Sequence, residues 1–461
     1  MEAPDDPALA RSSRAARALR ELALLGALFA AAWLVLGRVA TWQHVDRSDE
    51  AEWVAISILH WDQLVHGTAP AGAELDPPEW QKGGPWRRGV QRTMFGYPNP
   101  CLPKLVWGSL LHAKGFTTAS PLVFDVFERA DPAQGTQAQR ELDPALPLAR
   151  RVVLALACLS AVLIFLAARE ALAGAWGWLC ATLAYGLWFA SPLVQGTATY
   201  VRTDFFMLPF ALAALLLSLR ARAAISGRRG PVRQALAGAA LGLLCGLSVS
   251  SKLNGALACL CVTLWVPLAW WRARGEPSRA SWRGPVAALA LAGVSTCLVF
   301  LALNPRLWGD PLGGAADILA RWERVMAFFQ ESWSQRTGVE IARTLPERVA
   351  LFVDRTLTRD DPWRALTGVP AGALLMLAGL GGLAVRALRR QEGASSGSSS
   401  HASMVLLVFA LVFAGGTALW LPIDWERFWL PVAPLVVILE ALALAWLARG
   451  AWTMARRRTC L

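Results

Sequence analysis

Lysine is almost missing from this 461-residue chain: Lys82, Lys104, Lys114 and Lys252 are all it has, so 41 of its 45 basic residues are arginine. Tyrosine is equally scarce, at three, and charged residues make up only 17% against roughly a quarter in ordinary globular chains. That shortage, beside 55% hydrophobic residues, excludes an ordinary soluble enzyme. The five histidines form no H-E-x-x-H or comparable ligand pattern, and there is no P-loop and no glycine-rich phosphate loop. An ATP-driven pump and a nucleotide-binding domain are excluded with them. Six of the eight cysteines lie inside apolar runs and Cys460 is in the tail, leaving Cys101 as the only one in a polar segment, so no disulfide framework is expected.

What the chain does have is long apolar runs. A bilayer core takes about 20 apolar helical residues, and ten stretches qualify or nearly so: 20–41, 149–170, 174–194, 203–220, 232–250, 253–271, 285–303, 366–386, 403–422 and 428–448. The first follows Arg11, Arg14, Arg17 and Arg20 like a signal peptide. Its sixteen uncharged residues, Leu22 to Gly37, exceed a signal core, and it is read as an uncleaved anchor. The net charge of +12 gathers in short connections, 221–231, 272–284 and 386–402, and in the tail with Arg456, Arg457 and Arg458. By the positive-inside rule these are cytoplasmic, as are both termini, and nucleic acid is not needed to explain the charge.

The expected organisation is a cytoplasmic stretch 1–19, a first span 20–41, an external loop 42–148 and six spans within 149–303. A second external loop, 304–365, precedes three spans within 366–448, with a Gly/Ser linker at 391–402 and a basic tail at 449–461. The fold expected is an all-α polytopic membrane protein of about ten transmembrane helices. Its two large external loops would carry interfacial helices, because lipid does not tolerate unpaired backbone. Trp308 and eight other tryptophans in those loops suit such a belt.

Polar residues able to do chemistry crowd the external face. Asp49, Glu50 and Glu52 follow Ser48 at a helix start, where acids suit the dipole without any catalytic role. At headgroup level a carboxylate there is also placed to deprotonate a hydroxyl acceptor. Lys104 ends the rigid, proline-rich segment Tyr97 to Pro103, and Arg202 beside Asp204, Lys252 and Arg427 each sit in a short outer turn. Snorkelling explains any one of them. Together four cations facing a carboxylate cluster suit a lipid-linked phosphate. The turn Asn304 to Pro311 closes a span.

The order of these motifs resembles the polytopic glycosyltransferases of family 39, the group of the protein O-mannosyltransferases and the aminoarabinose transferases of lipid A. Asp49-Glu50 looks like that family's Asp-Glu pair beyond the first span, Asn99 to Lys104 like its His-Pro-Pro-Leu-x-Lys segment, and Arg202-Thr203-Asp204 like its Arg-x-Asp. Gly246 to Asn254, Asn304 to Pro311 and Arg427 to Pro431 are similar to its later turns. Asn99 stands where the family has His and Cys101 where it has Pro, and the segment 115–147 has no counterpart. The resemblance implies a GT-C fold in the cell (inner) membrane and inverting transfer of a sugar from a polyprenyl-phosphate donor to a lipid, glycan or protein acceptor on the external face. By the same resemblance Asp49 and Glu50 are catalytic, with Asp49 as general base, and Lys104, Arg202, Lys252 and Arg427 bind the donor phosphate. Glu52, Tyr97, Asn99, Asp204, Asn304, Trp308 and Asp310 would contact acceptor or sugar. Fixed cations would replace an obligatory metal cofactor, although a divalent ion shared by Asp49 and Asp204 stays open. The alternative is a secondary transporter or lipid flippase, whose substrate sites sit on ionisable residues near the midplane; here only Glu440 lies well within a span.

Overall fold

Each of the ten apolar runs overlaps a helix in the computed structural model. The structure describes residues 7–42, 48–66, 101–119, 123, 132–221, 230–273, 282–338, 340–354, 372–388, 397–420 and 426–459, and among them there is no strand. Helix α1 (Pro7–Val39) is followed by α2 (Ser48–His66), α3 (Leu102–His112) and α4 (Pro132–Arg140). The bundle continues through α5 (Leu146–Ala171), α6 (Ala175–Ala190), the short α7 (Pro192–Thr197), α8 (Asp204–Arg220), α9 (Pro231–Ser251), α10 (Ala256–Ala273) and α11 (Arg283–Leu303). After it come α12 (Pro311–Thr337) and α13 (Leu345–Val353), then α14 (Gly372–Leu388), α15 (Gly397–Trp420) and α16 (Ala433–Thr459).

Seven helical segments are long and apolar enough to cross a membrane: Leu19–Val39, Leu146–Ala171, Val232–Ser251, Leu253–Arg272, Arg283–Leu303, Ser400–Leu419 and Ala433–Arg458. The other three helices have 16 or 17 residues among those described. In α6 the helix stops at Ser191-Pro192, where the serine side chain caps α7 by accepting from the Val194 N–H. In α8 it starts only at Asp204, after an irregular turn, and α14 spans 17 residues.

Small residues set the closest packing. Along α9, Gly238, Gly242 and Gly246 lie one turn apart against Ala288, Ala292, Thr296 and Val299 of α11. A Cβ at Gly242 would stand 2.2 Å from the Ala292 carbonyl oxygen, and the Thr296 hydroxyl donates to Gly242 O at 3.1 Å. Backbones that approach this closely gain dispersion and interhelical bonds that lipid cannot replace.

Outside the bundle, α2 and α3 form an antiparallel pair. Gly108 of α3 sits so close that a Cβ would meet Ser57 O at 2.4 Å. Trp107 then packs 6.2 Å from Trp53 and 4.7 Å from Phe206, and its indole donates to Ala149 O at 3.2 Å. This fully buried indole pins the pair onto the heads of α5 and α8. The second outer segment is anchored by α13, whose Arg348 donates to Leu419 O at 2.7 Å at the end of α15 and whose Phe352 lies 5.2 Å from Trp429. A capping box between Thr344 and Glu347 starts that helix, and the Thr344 and Arg343 N–H groups hold the Glu347 carboxyl below the usual carboxylate range.

Candidate functional site

The first turn of α2, the turn between α7 and α8, and the end of α9 meet at one end of the bundle. Asp49 pairs with Arg202, Nη2 to Oδ2 at 2.5 Å. Two residues on, Asp204 opens α8 and pairs with Lys252 at the end of α9. Asp204 also lies close enough to Arg202 to act on its charge, so Asp49, Arg202, Asp204 and Lys252 make a row of alternating sign. Two acids and two cations leave that row neutral. Side-chain exposure is 29% at Asp49, 23% at Arg202 and 20% at Lys252 but 8% at Asp204, so the row opens outward at Asp49 and Arg202.

Arg202 is held on its other face by Tyr200, whose ring centroid lies 4.0 Å from the guanidinium carbon and whose hydroxyl accepts from Nη2 at 3.1 Å. Burial alone would lower the Arg202 pKa, but Asp49, Tyr200 and Asp204 outweigh it and the group stays firmly charged, above its ordinary value. Both the tyrosine and the carboxylate fix the plane of a side chain built for bidentate oxyanion contacts.

Glu50 is the neighbour of Asp49 and has a different environment. Its side chain is fully buried. Oε1 accepts from the Arg150 Nε at 3.0 Å and from the Val201 N–H at 3.0 Å, and Oε2 pairs with Arg150 Nη2. Arg150 donates through Nη1 to Trp42 O at 2.6 Å, just beyond α1. The Thr41 N–H donates to Gln195 O at 3.0 Å and the Thr199 hydroxyl to Thr41 O. One carboxylate thus fastens α2, the head of α5, the end of α1 and the backbone that carries Arg202.

Arg150, Tyr200 and the Val201 N–H were not singled out in the sequence. The signal for Arg150 was there: an Arg-Arg pair, Arg150-Arg151, heads a span on the side where positive charge is otherwise sparse.

Lys104 lies on α3, which also packs against α9. It is fully buried between α2 and α3, and burial pulls its pKa down, opposed by the nearby Cys101. Cys101 is itself pushed up by burial, with Lys104 opposing, and His60 of α2 is lowered to about 3 by burial and by the Lys104 charge. Glu52 is also buried. In the turn 304–311, three side chains bond to nearby backbone. The Asn304 amide donates to Phe300 O at 2.6 Å, the Trp308 indole to Leu301 O at 2.9 Å, and Asp310 caps α12 by accepting from the Gly313 N–H at 2.9 Å. Arg427 belongs to the 3-10 turn Glu426–Trp429, which packs beside α7. Tyr97 and Asn99 lie outside the described residues, as does the side chain of Arg427. No three His, Cys, Asp or Glu side chains converge as a metal site among the described residues; Asp49 and Asp204 each face a cation instead.

No family model and no curated sequence matches the chain. Solved structures of the Archaeoglobus fulgidus oligosaccharyltransferase AglB do match its fold. One, in complex with an inhibitory peptide and a dolichol-phosphate, aligns with a TM-score of 0.54 over 95% of this chain at 13% identity. A second, tethered to an acceptor peptide containing the NVT sequon, aligns at 0.53 over 91% at 14% identity, and a third, with Zn and sulfate, at 0.54 over 92% at 14% identity. The chain spans about half of that enzyme, 52% and 49% of the first two. The architecture is therefore the GT-C oligosaccharyltransferase fold, all-α and multi-pass.

Proposed function

We propose that this chain is an integral membrane glycosyltransferase that moves a sugar from a polyprenyl-phosphate donor to an acceptor hydroxyl on the external face of the cell membrane, with inversion. The observation that carries the reading is the row from Asp49 to Lys252. It presents a partly exposed carboxylate beside two fixed cations, on a fold shared with an enzyme solved with a dolichol-phosphate. The motif order adds the finer assignment to family 39. Both termini are cytoplasmic, and the acceptor is a lipid, glycan or protein.

In the reaction the acceptor oxygen attacks the anomeric carbon as its proton passes to the Asp49 carboxylate. The bond from that carbon to the phosphate oxygen breaks, and its electron pair leaves with the lipid phosphate, which gains one negative charge. Arg202 and Lys252 meet that charge where it grows, which is where stabilisation accelerates a reaction. Arg427, on the turn beside α7, is the third cation proposed for the phosphate, while Asp204 steers Lys252 and borders the sugar.

Glu50, with both oxygens engaged, positions the Val201–Arg202 backbone rather than moving a proton, and Lys104, buried between α2 and α3, is the fourth cation proposed for the phosphate. Tyr97, Asn99, Glu52, Asn304, Trp308 and Asp310 remain the proposed acceptor and sugar contacts. The neighbour crystallised with Zn and sulfate raises the question of a metal. The described donors do not assemble one, and no step here runs through it.

The test uses purified full-length protein in liposomes with polyprenyl-phosphate sugars and candidate acceptors. Release of free polyprenyl phosphate that depends on acceptor is expected. Equilibration of a labelled solute or lipid across the bilayer, with no phosphate released from any carrier, would make the chain a transporter or flippase.

A further inference from the structure

At the bundle end opposite the Asp49 row, three arginines from three helices come together. Helix α10 starts beside Lys252 and runs roughly 27 Å at 1.5 Å per residue before it ends at Ala273. Arg272, in its last turn, donates through Nη2 to Ala387 O of α14. The residue before that carbonyl is Arg386, whose guanidinium carbon lies 5.1 Å from the ring centroid of Trp446 in α16. Arg449 stands three residues further along α16, close enough for its charge to act on Arg386.

The helices are locked in this arrangement. A Cβ at Gly379 would meet Leu439 O at 2.2 Å, and one at Gly382 would meet the Trp446 ring at 2.0 Å. The arginines are therefore neighbours because α14 and α16 pack as they do, not because mobile side chains drift together.

Like charges brought together this way are unfavourable unless something of opposite sign completes them. Elsewhere in the molecule a carboxylate does so: Glu50 for Arg150, Asp49 for Arg202, Glu170 for Arg220. Among the described residues none pairs with Arg272, Arg386 or Arg449, and the guanidinium N–H groups of Arg386 and Arg449 make no hydrogen bond there. Glu440, the nearest acid along α16, is nine residues from Arg449, roughly 13 Å down the helix. The segment 389–396 adds two arginines and one glutamate, so it increases the positive charge. The positive-inside rule explains why arginines lie at this end, but not why Arg272 and Arg386 meet at the end of α14 with Arg449 beside Arg386.

We propose that Arg272, Arg386 and Arg449 form a binding site for the phosphodiester headgroup of an anionic phospholipid. Arg272 and Arg386 lie in the last turns of α10 and α14, Trp446 and the exposed Trp271 and Trp452 supply rings suited to a membrane interface, and two guanidiniums hold donors for bidentate contact with phosphate oxygens. This inference is independent of the proposed reaction.

The test is lipid binding to the full-length protein in detergent, read by native mass spectrometry with phosphatidylglycerol and phosphatidylcholine of the same acyl chains. Wild type should retain phosphatidylglycerol preferentially. Arg449→Gln alters an exposed side chain and should weaken that lipid by about fivefold, the fold-change that ~1 kcal/mol per surface arginine gives, and adding Arg386→Gln should weaken it by about as much again. Phosphatidylcholine binding, unchanged in each variant, reports that the fold is intact. Arg456→Gln with Arg457→Gln, in the tail, should keep the preference. Equal retention of the two lipids by wild type would overturn the proposal, as would an equal loss in the tail variant, which would assign the effect to overall charge. Displacement of phosphatidylglycerol by inorganic phosphate would assign the site to a soluble anion and overturn it too.

Discussion

The Glu50 carboxylate accepts from Arg150 and from a backbone N–H and is fully buried, whereas Asp49 keeps nearly a third of its side chain exposed. Removing one partner of a buried pair strands the other, at about 3–5 kcal/mol. Arg150→Met and Glu50→Gln are therefore expected to lower the thermal midpoint sharply, whereas Asp49→Asn, at a partly screened pair, should shift stability by less than about 1 kcal/mol. Thermal unfolding of the three variants in detergent checks this order. A second residue-scale expectation concerns His60, whose folded pKa of about 3 lies below the ordinary 6.5. Between those values the unfolded chain takes up a proton that the folded chain refuses, so stability is full above pH 6.5 and falls as pH drops toward 3. His60→Gln should flatten that part of a stability-against-pH curve. Only part of this was legible in the residues: the acids after Ser48 and the cations in outer turns stood out by type, but nothing in Asp49-Glu50 tells which points to solvent. That is decided by Arg150 and Val201, 100 and 151 positions away.

Helices were legible where apolarity alone made them. The runs that became α5, α9, α10, α11 and α15 appear in the sequence nearly at their observed length, because lipid or core burial suits every face, whereas α16 continues through the basic residues expected as a tail, to Thr459. The run that became α8 ends where it was expected to and starts one residue late, whereas the run that became α6 was read too long. Its last expected residues are taken by the Ser191 cap and α7, which do not change hydropathy. The α9–α11 seam was also invisible, since Gly238, Gly242 and Gly246 gain meaning only when Ala288 and Ala292 are set against them. Gly242→Leu is expected to destabilise by about 1–3 kcal/mol or more through overpacking, while Gly293→Leu, with open space around its Cβ, should be tolerated far better. Comparison of the two variants' denaturation midpoints decides it.

For the molecule as a whole, the charge of +12 divides between two ends with different chemistry. At one end every named cation of the row has a carboxylate, so the row is neutral by itself; at the other, among the described residues, arginines lie together without one. The fold class was readable from apolar runs and arginine placement, and the AglB structures share it at 13–14% identity, far below what sequence matching detects. The reaction is the claim that binds the account together, and Asp49 is its centre. With saturating donor and acceptor, the rate of polyprenyl-phosphate release by Asp49→Asn is expected to fall by about 10²–10⁴-fold with its thermal midpoint nearly unchanged, the loss of a general base. Turnover by Asp49→Asn equal to wild type would contradict the account.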